Sequence, residues 1–94
     1  MSGTVAKRLE QKLKAALAPD RLRVIDESAR HVGHVGARPG GETHFRVEIE
    51  ATAFIGLSRL ERQRRVHAIL ADELAGGVHA LSMALVAPGE APAR

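Results

Sequence analysis

The sequence is poor in the residues from which many functional sites are built. It contains no cysteine, no tryptophan and no tyrosine, and Phe45 and Phe54 are its only phenylalanines. Without thiols the chain can form no disulfide, and it cannot bind a metal through thiolates of its own. Two rings are also too few for a surface that stacks nucleic-acid bases on aromatic side chains. The core must therefore be built mainly from Leu, Val, Ile and Ala.

Long hydrophobic segments are missing as well. No apolar run approaches the length of a transmembrane helix, and Met1–Lys7 lacks the apolar centre of a signal peptide. We therefore expect a cytoplasmic protein with no membrane partner. A length of 94 residues allows one modest core. We expect a single domain over residues 1–94, with an ordered core over about 5–86 and a flexible tail over 87–94.

The basic residues slightly outnumber the acidic ones. The chain has 14 Lys and Arg and 11 Asp and Glu, and its net charge of +3 permits an anionic partner. Four arginines lie close together at the start of one predicted helix, namely Arg59, Arg62, Arg64 and Arg65. They could contact phosphates. An amphipathic helix must also present a polar face to solvent, and spacing alone favours that plainer interpretation.

The N-terminal half predicts one helix and two strands. Apolar residues recur at helical spacing over Val5–Leu17, and Pro19 ends that helix. Alternation over Leu22–Asp26 predicts a first strand, and the clearer alternation over His44–Glu50 predicts a second strand with one buried face. The glycine-rich and proline-containing segment Ala29–Gly41 predicts a long loop between them.

The C-terminal half predicts a helix and a last strand. Ser58 and Glu61 have the spacing of a capping box, and the helix that they open is expected to end at Gly76-Gly77. Its apolar side should carry Leu60, Val66, Ile69, Leu70 and Leu74. A strand is expected over about His79–Val86. The order α-β-β-α-β predicts the α+β class.

Histidines are the only plausible metal ligands of the soft or borderline kind in the chain. There are five, namely His31, His34, His44, His67 and His79. No helical pair of histidines encloses a glutamate, and no Walker loop or nucleophile elbow is present, so nothing in the pattern indicates an enzyme. The glycine-rich loop would let His31 or His34 reach an external ligand. From spacing alone, however, all five have a plain interpretation as surface or structural residues.

Five short strings of the sequence are similar to the BolA family. They are Asp26-Glu27-Ser28, ETHFRV over Glu42–Val47, FIGLSRL over Phe54–Leu60, LADEL over Leu70–Leu74 and VHAL over Val78–Leu81. Each string alone is a weak signal, but the five follow the family order, and the resemblance as a whole covers roughly Val5–Val86, nearly the whole chain. The chain therefore resembles a BolA-like protein.

The resemblance implies a fold like that of a type II KH domain, with a three-stranded sheet covered by helices. It also implies a protein without enzyme activity that acts in iron–sulfur cluster trafficking or in iron and redox regulation. BolA-like proteins pair with monothiol glutaredoxins and share a 2Fe-2S cluster with them, the glutaredoxin and its glutathione supplying the thiolates. A chain that has no cysteine could contribute only imidazoles.

The resemblance also implies which histidines bind the cluster. The histidine near the last strand of the family matches His79, within VHAL. In the histidine-loop subclass a second ligand comes from the hairpin loop, where His31 is the best match and His34 the alternative, because this loop is longer than in many relatives. Replacement of thiolate by neutral imidazole is expected to raise the reduction potential of the cluster, as in Rieske centres.

Transcriptional regulation is a second role attributed to the family. It would use DNA as the partner and Arg59, Arg62, Arg64 and Arg65 as the contact residues. Many relatives have Arg-His-Arg where this chain has Arg62-Gln63-Arg64, so a role of that helical histidine cannot be transferred. For the free protein we expect a monomer or a weak homodimer.

Overall fold

The computed structural model describes residues 4–27 and 43–90. Its helices are α1 (Thr4–Leu17), α2 (Arg59–Ile69) and α3 (Ala71–Gly76), and its strands are β1 (Arg21–Asp26), β2 (His44–Glu50) and β3 (Ala80–Val86), with a 3-10 turn at Thr52–Phe54. The predicted α+β class is confirmed, and so is the predicted order of the elements, except that two helices stand where one was predicted.

The three strands form one mixed sheet with β2 in the centre. β2 pairs antiparallel with β1 and parallel with β3. A parallel neighbour requires a crossover, and α2 and α3 supply it. β3 begins at Ala80, one residue later than predicted, so that His79 stands just before the strand. The parallel register places His44 opposite Ala80, so both strands begin at the same edge of the sheet.

The core lies between one face of the sheet and the helices. Its fully buried side chains include Leu9 and Leu13 of α1, Phe45 and Val47 of β2, Val66 of α2, and Phe54 and Leu70 outside these elements. The burial of Phe45 and Val47 follows from the alternation along β2, because it places every second residue on the face that the helices cover. Both phenylalanines are buried in a core that is otherwise aliphatic, as the composition predicts.

The predicted long helix is interrupted, which corrects the expectation of one helix ending at Gly76-Gly77. Leu70 has φ −103° and ψ 17°, and it separates α2 from α3. Its N–H still donates to the carbonyl of Val66, and its carbonyl accepts from Leu74, so the backbone bonds continue across the break. No helix in the described parts of the chain is long and apolar enough to cross a membrane.

The predicted apolar side of this helix is also wrong at one position. Leu60 is 53% exposed, whereas Val66 and Leu70 are completely buried. Leu60 lies in the first turn of α2, directly after the capping residue Ser58 and Arg59, and its side chain does not reach the core. The part of α2 that covers the sheet begins further along the helix.

The first residues of the predicted tail over 87–94 make contacts with α2. Ala87 is buried, and its N–H donates to the Glu90 carboxylate at 2.9 Å. The guanidinium of Arg62 binds the two oxygens of the same carboxylate at 2.6 and 2.9 Å. Within residues 87–90, Glu90 therefore contacts α2, and residues 91–94 lie outside the described part of the chain.

Candidate metal centre

Two histidines meet at the edge of the sheet where β2 and β3 begin. His44 opens β2, and His79 immediately precedes β3. Their ring centroids are 6.3 Å apart, and the ring planes are inclined by 42°. His44 is half-buried and His79 is exposed. The parallel pairing of the two strands therefore brings together two imidazoles that are distant in sequence.

Thr43 is hydrogen-bonded to both histidines. It is completely buried, and its carbonyl accepts the N–H groups of His79 at 2.7 Å and of Ala80 at 3.3 Å. Its hydroxyl oxygen lies 2.8 Å from Nδ1 of His44. Metal binding by the His44 ring would consequently use Nε2, because Nδ1 is already hydrogen-bonded.

The turn that precedes His79 is anchored by α3. The carbonyl of Glu73 accepts the N–H groups of Gly77 and Val78, both at 3.1 Å. The buried Glu73 carboxylate lies 2.9 Å from Nζ of Lys12 and 3.5 Å from Nε of Arg8 on α1. The hydrogen bond to Glu73 raises the pKa of Lys12 above its ordinary value. These contacts fix the end of α3 to α1, and with it the backbone that leads into His79.

The histidines named in the sequence analysis differ in where the structure places them. His79 lies at the sheet edge, whereas His31 and His34 lie outside the described residues. His67 is exposed on α2, in a surface depression shared with Leu60 and Arg64. Sequence spacing alone interpreted His44 as a surface residue, but the structure places it half-buried beside His79. The signal that could have revealed this is a helical crossover between two strands, which makes them parallel and aligns their starts.

Two imidazoles do not complete a coordination shell. Iron and zinc in tetrahedral sites take four ligands, and neutral imidazole nitrogen is a suitable donor for either. Among the residues that the structure describes, no group of three or more His, Cys, Asp or Glu could hold a metal ion. A metal group at this edge would therefore draw further ligands from outside these ranges, from solvent or from a partner.

The four arginines of α2 divide into two kinds. Arg59, Arg64 and Arg65 are exposed. The side chain of Arg62 is only 11% exposed, and besides the Glu90 carboxylate it binds the carbonyls of Leu57 at 3.0 Å and Leu85 at 3.2 Å. Its guanidinium carbon also lies 5.9 Å from the ring centroid of Phe54. Arg62 therefore links α2 to Leu85 of β3 and to Glu90, and we call this set of contacts the internal brace. The exposed basic surface of α2 is formed by the other three arginines.

Comparison with known proteins gives a consistent result. The sequence model of the family described as BolA-like protein matches residues 13–90. An uncharacterized protein in the cobS 5' region of Sinorhizobium sp is 44% identical over 88 residues, which cover 93% of this chain and 95% of that protein. BolA-like protein 1 of Homo sapiens is also 44% identical over 88 residues, but the match covers 94% of this chain and only 61% of the human protein.

The fold is likewise similar to solved structures. BolA1 from Arabidopsis thaliana is 37% identical and superposes with a TM-score of 0.83. The BolA domain of SufE1 from the same plant is 39% identical and superposes with a TM-score of 0.84. This match covers 95% of the present chain and 98% of that domain. The agreement extends over nearly the whole of both chains, so it supports the arrangement of helices and sheet described above.

Proposed function

This chain belongs to the BolA-like family, and on that premise we propose that it is a non-enzymatic partner of a monothiol glutaredoxin. In this role the two proteins share a 2Fe-2S cluster and act in iron–sulfur cluster trafficking or in iron and redox regulation. The likeness to the BolA domain of SufE1 supports an iron–sulfur role. The human relative is longer than the matched region, and the activity proposed here concerns only the present chain.

The observation that carries the proposal is an exposed imidazole directly before β3 in a protein without thiols. His79 is exposed and lies on a backbone fixed by Thr43 and Glu73. We assign it as one cluster ligand of this chain, and His31 as the second, with His34 as the alternative. The thiolates of the glutaredoxin and its glutathione complete the shell. When bound, the cluster supplies one-electron redox chemistry or is passed on to a client.

The chain's own contribution is to present neutral nitrogen donors. An imidazole adds no negative charge to the cluster, whereas a thiolate does, and histidine ligation is associated with higher reduction potentials. Because an imidazole binds metal only when deprotonated at the ligating nitrogen, His79 must be neutral there to serve. The exposed position before β3 leaves the ring accessible to a docked partner.

Cluster assembly tests the proposal. The protein is mixed with a monothiol glutaredoxin, glutathione, ferrous iron and sulfide, and visible circular dichroism is recorded. We expect a spectrum different from that of glutaredoxin alone, and we expect His79→Ala to abolish the difference. His67→Ala is the matched control, because His67 is also exposed but lies on α2. A wild-type spectrum identical to that of glutaredoxin alone would refute the proposal.

The same assay assigns the loop ligand. We expect His31→Ala to alter the visible spectrum of the mixed complex and His34→Ala to leave it unchanged. The opposite pattern would transfer the assignment to His34. Retention of the wild-type spectrum in the double variant would show that neither loop histidine binds the cluster.

Nucleic-acid binding is a second candidate, favoured by the three exposed arginines of α2. Contacts to phosphates would make the affinity fall steeply with salt, with a slope of about −0.9 per contact in a double-logarithmic plot. Fluorescence anisotropy with duplex DNA should show this slope decreasing when Arg59, Arg64 and Arg65 are replaced together by Ala. Undetectable binding, or binding that the triple variant does not weaken, would remove this candidate.

A further inference from the structure

Thr43 joins the two histidines through two different atoms. Its side chain has no exposed surface, and it precedes His44 in the chain. The carbonyl oxygen binds the backbone of His79, and the hydroxyl oxygen binds the ring of His44. One buried residue thus fixes the position of the His79 backbone, directly before β3, and the orientation of the His44 ring.

The backbone bonds fix the separation of the two histidines. The Thr43 carbonyl accepts from His79 at 2.7 Å and from Ala80 at 3.3 Å, at the first rung between β2 and β3. Val78, on the other side of His79, is 5% exposed and packs into the core. The His79 backbone is therefore held on both sides, while its side chain is exposed and can change rotamer.

The side-chain bond determines which nitrogen of His44 faces away from Thr43. Metal-bound histidines almost always donate the N–H of their other ring nitrogen to an oxygen acceptor, which fixes the tautomer. The 2.8 Å contact between Nδ1 of His44 and Oγ1 of Thr43 has this form. In the tautomer in which Nδ1–H donates to the hydroxyl, the lone pair for metal binding is on Nε2. Threonine is well suited to this task because its β-branched side chain is stiff at χ1.

The spacing of the rings suits a shared ion. Two imidazoles that bind one ion, each with a metal–nitrogen distance of about 2.0–2.1 Å, have ring centres roughly 5–6 Å apart. The observed separation is 6.3 Å, a few tenths of an ångström above this range. Imidazole pairs favour zinc, copper and nickel over magnesium or calcium.

The nearby charges permit a cation at this position. Glu27 lies beside His44 on the neighbouring chain segment, with its N–H donating to the His44 carbonyl at 2.8 Å. The nearest arginine along β2 on the same face is Arg46, and its guanidinium is bound to Glu48 at 3.1 Å. The positive charge of Arg46 is therefore compensated by the carboxylate of Glu48.

We propose that His44 and His79 form a two-imidazole site for a divalent transition-metal ion of the zinc type in the free chain, with Thr43 as its positioning residue. The site is distinct from the shared cluster, because it needs neither a glutaredoxin nor the loop histidines. It does use His79, so the ion and the cluster exclude each other. Water completes the coordination of the ion.

A zinc titration of the free protein tests the site. Zn²⁺ alone is added, and the imidazole nitrogens are followed by long-range ¹H–¹⁵N NMR. We expect the ring signals of His44 and His79 to shift together and to saturate, while those of His67 stay in place. His31→Ala/His34→Ala should bind zinc as the wild type does. Saturable binding that survives in His44→Ala, or zinc shifts confined to other histidines, would overturn the proposal.

The role of Thr43 is tested by two matched variants. Thr43→Val keeps the shape and the backbone carbonyl but removes the hydroxyl, and loss of such a supporting bond weakens metal affinity by about 10-fold or more. Thr43→Ser keeps the hydroxyl and should restore most of the affinity and the His44 tautomer. If Thr43→Val binds zinc as tightly as the wild type with the His44 ring signals unchanged, Thr43 is not a positioning residue. Because no glutaredoxin is present, these results do not depend on the proposed function.

Discussion

The carbonyl oxygen of Thr43 accepts the backbone N–H of His79 at 2.7 Å. This bond closes the sheet at the point where β2 and β3 begin, and it places an exposed imidazole beside the half-buried ring of His44. The candidate metal centre is therefore a product of strand register. Changes that disturb α3 or the crossover should affect it even when they do not touch a histidine.

The burial of the crossover helices can be tested with two leucines. Leu70→Ala removes a completely buried side chain and should lower the free energy of unfolding by about 2–5 kcal/mol. Leu60→Ala is the matched control, because Leu60 is 53% exposed, and its effect should stay within about 0.5 kcal/mol. Urea unfolding of the two variants measures both values. Equal losses would contradict the assignment of Leu60 to the surface.

The internal brace formed by Arg62 predicts a difference between two arginines. Arg62→Lys loses the two-pronged contact to Glu90 and the bonds to two backbone carbonyls, which an ammonium cannot reproduce together. We expect its melting temperature to fall by on the order of 5 °C. Arg64→Lys, on the exposed part of α2, should melt as the wild type does. Calorimetry that finds no difference between the variants would argue against the brace.

The same brace predicts a pH dependence of stability. The hydrogen bonds from Arg62 and from the Ala87 N–H lower the pKa of Glu90 from its ordinary value of 4.5 to about 2. Its stabilising contribution is therefore complete above about 4.5 and is lost as the pH falls through about 2. Glu90→Gln should lower the melting temperature at pH 7, and the difference from the wild type should shrink over this acidic range.

A constant difference across that range would show that the contribution of Glu90 does not come from its charge. Glu90→Gln is preferred to Glu90→Ala for this comparison, because glutamine keeps the shape of the side chain and one carbonyl acceptor. Melting curves followed by far-ultraviolet circular dichroism are suited to the acidic samples.

The anchoring of α3 predicts unequal effects of two neighbouring carboxylates. The Glu73 side chain is 5% exposed and binds Lys12, whereas that of Asp72 is 93% exposed. Glu73→Ala should destabilise the fold by about 1–3 kcal/mol, since it removes a hydrogen bond between charged groups at a largely buried position. Asp72→Ala should have little effect. Chemical unfolding distinguishes them, and a larger effect of Asp72→Ala would contradict the described anchor.

Much of the fold could be predicted from sequence because its signals are local. The alternation along β2, the apolar spacing of α1 and the capping box at Ser58 each depend on residues within one element, and each prediction is confirmed. The break at Leu70 was not predictable in this way. Leu70 fits the apolar spacing of a continuous helix, and the interruption becomes evident only once α3 is placed against α1.

The candidate site was harder to predict from the sequence, because the residues that contact one another there are far apart along the chain. Arg62 fits a helical stripe of arginines, and its partner Glu90 lies 28 residues further on. His44 and His79 belong to different strands, so no spacing rule connects them. His79 itself was assigned through the family resemblance, since spacing alone gave it no special role. The assignment of His31 over His34 stays a prediction, as both lie outside the described residues.

The most direct measurement of the central claim is pulsed electron paramagnetic resonance of the reduced mixed complex. The chain is labelled with ¹⁵N at histidine, and the glutaredoxin is left unlabelled, so any ¹⁵N coupling to the cluster must come from this chain. We predict a strong ¹⁵N hyperfine coupling that His79→Ala removes and His67→Ala leaves intact. A cluster signal without ¹⁵N coupling, or a coupling unchanged in His79→Ala, would contradict the claim that His79 binds the shared cluster.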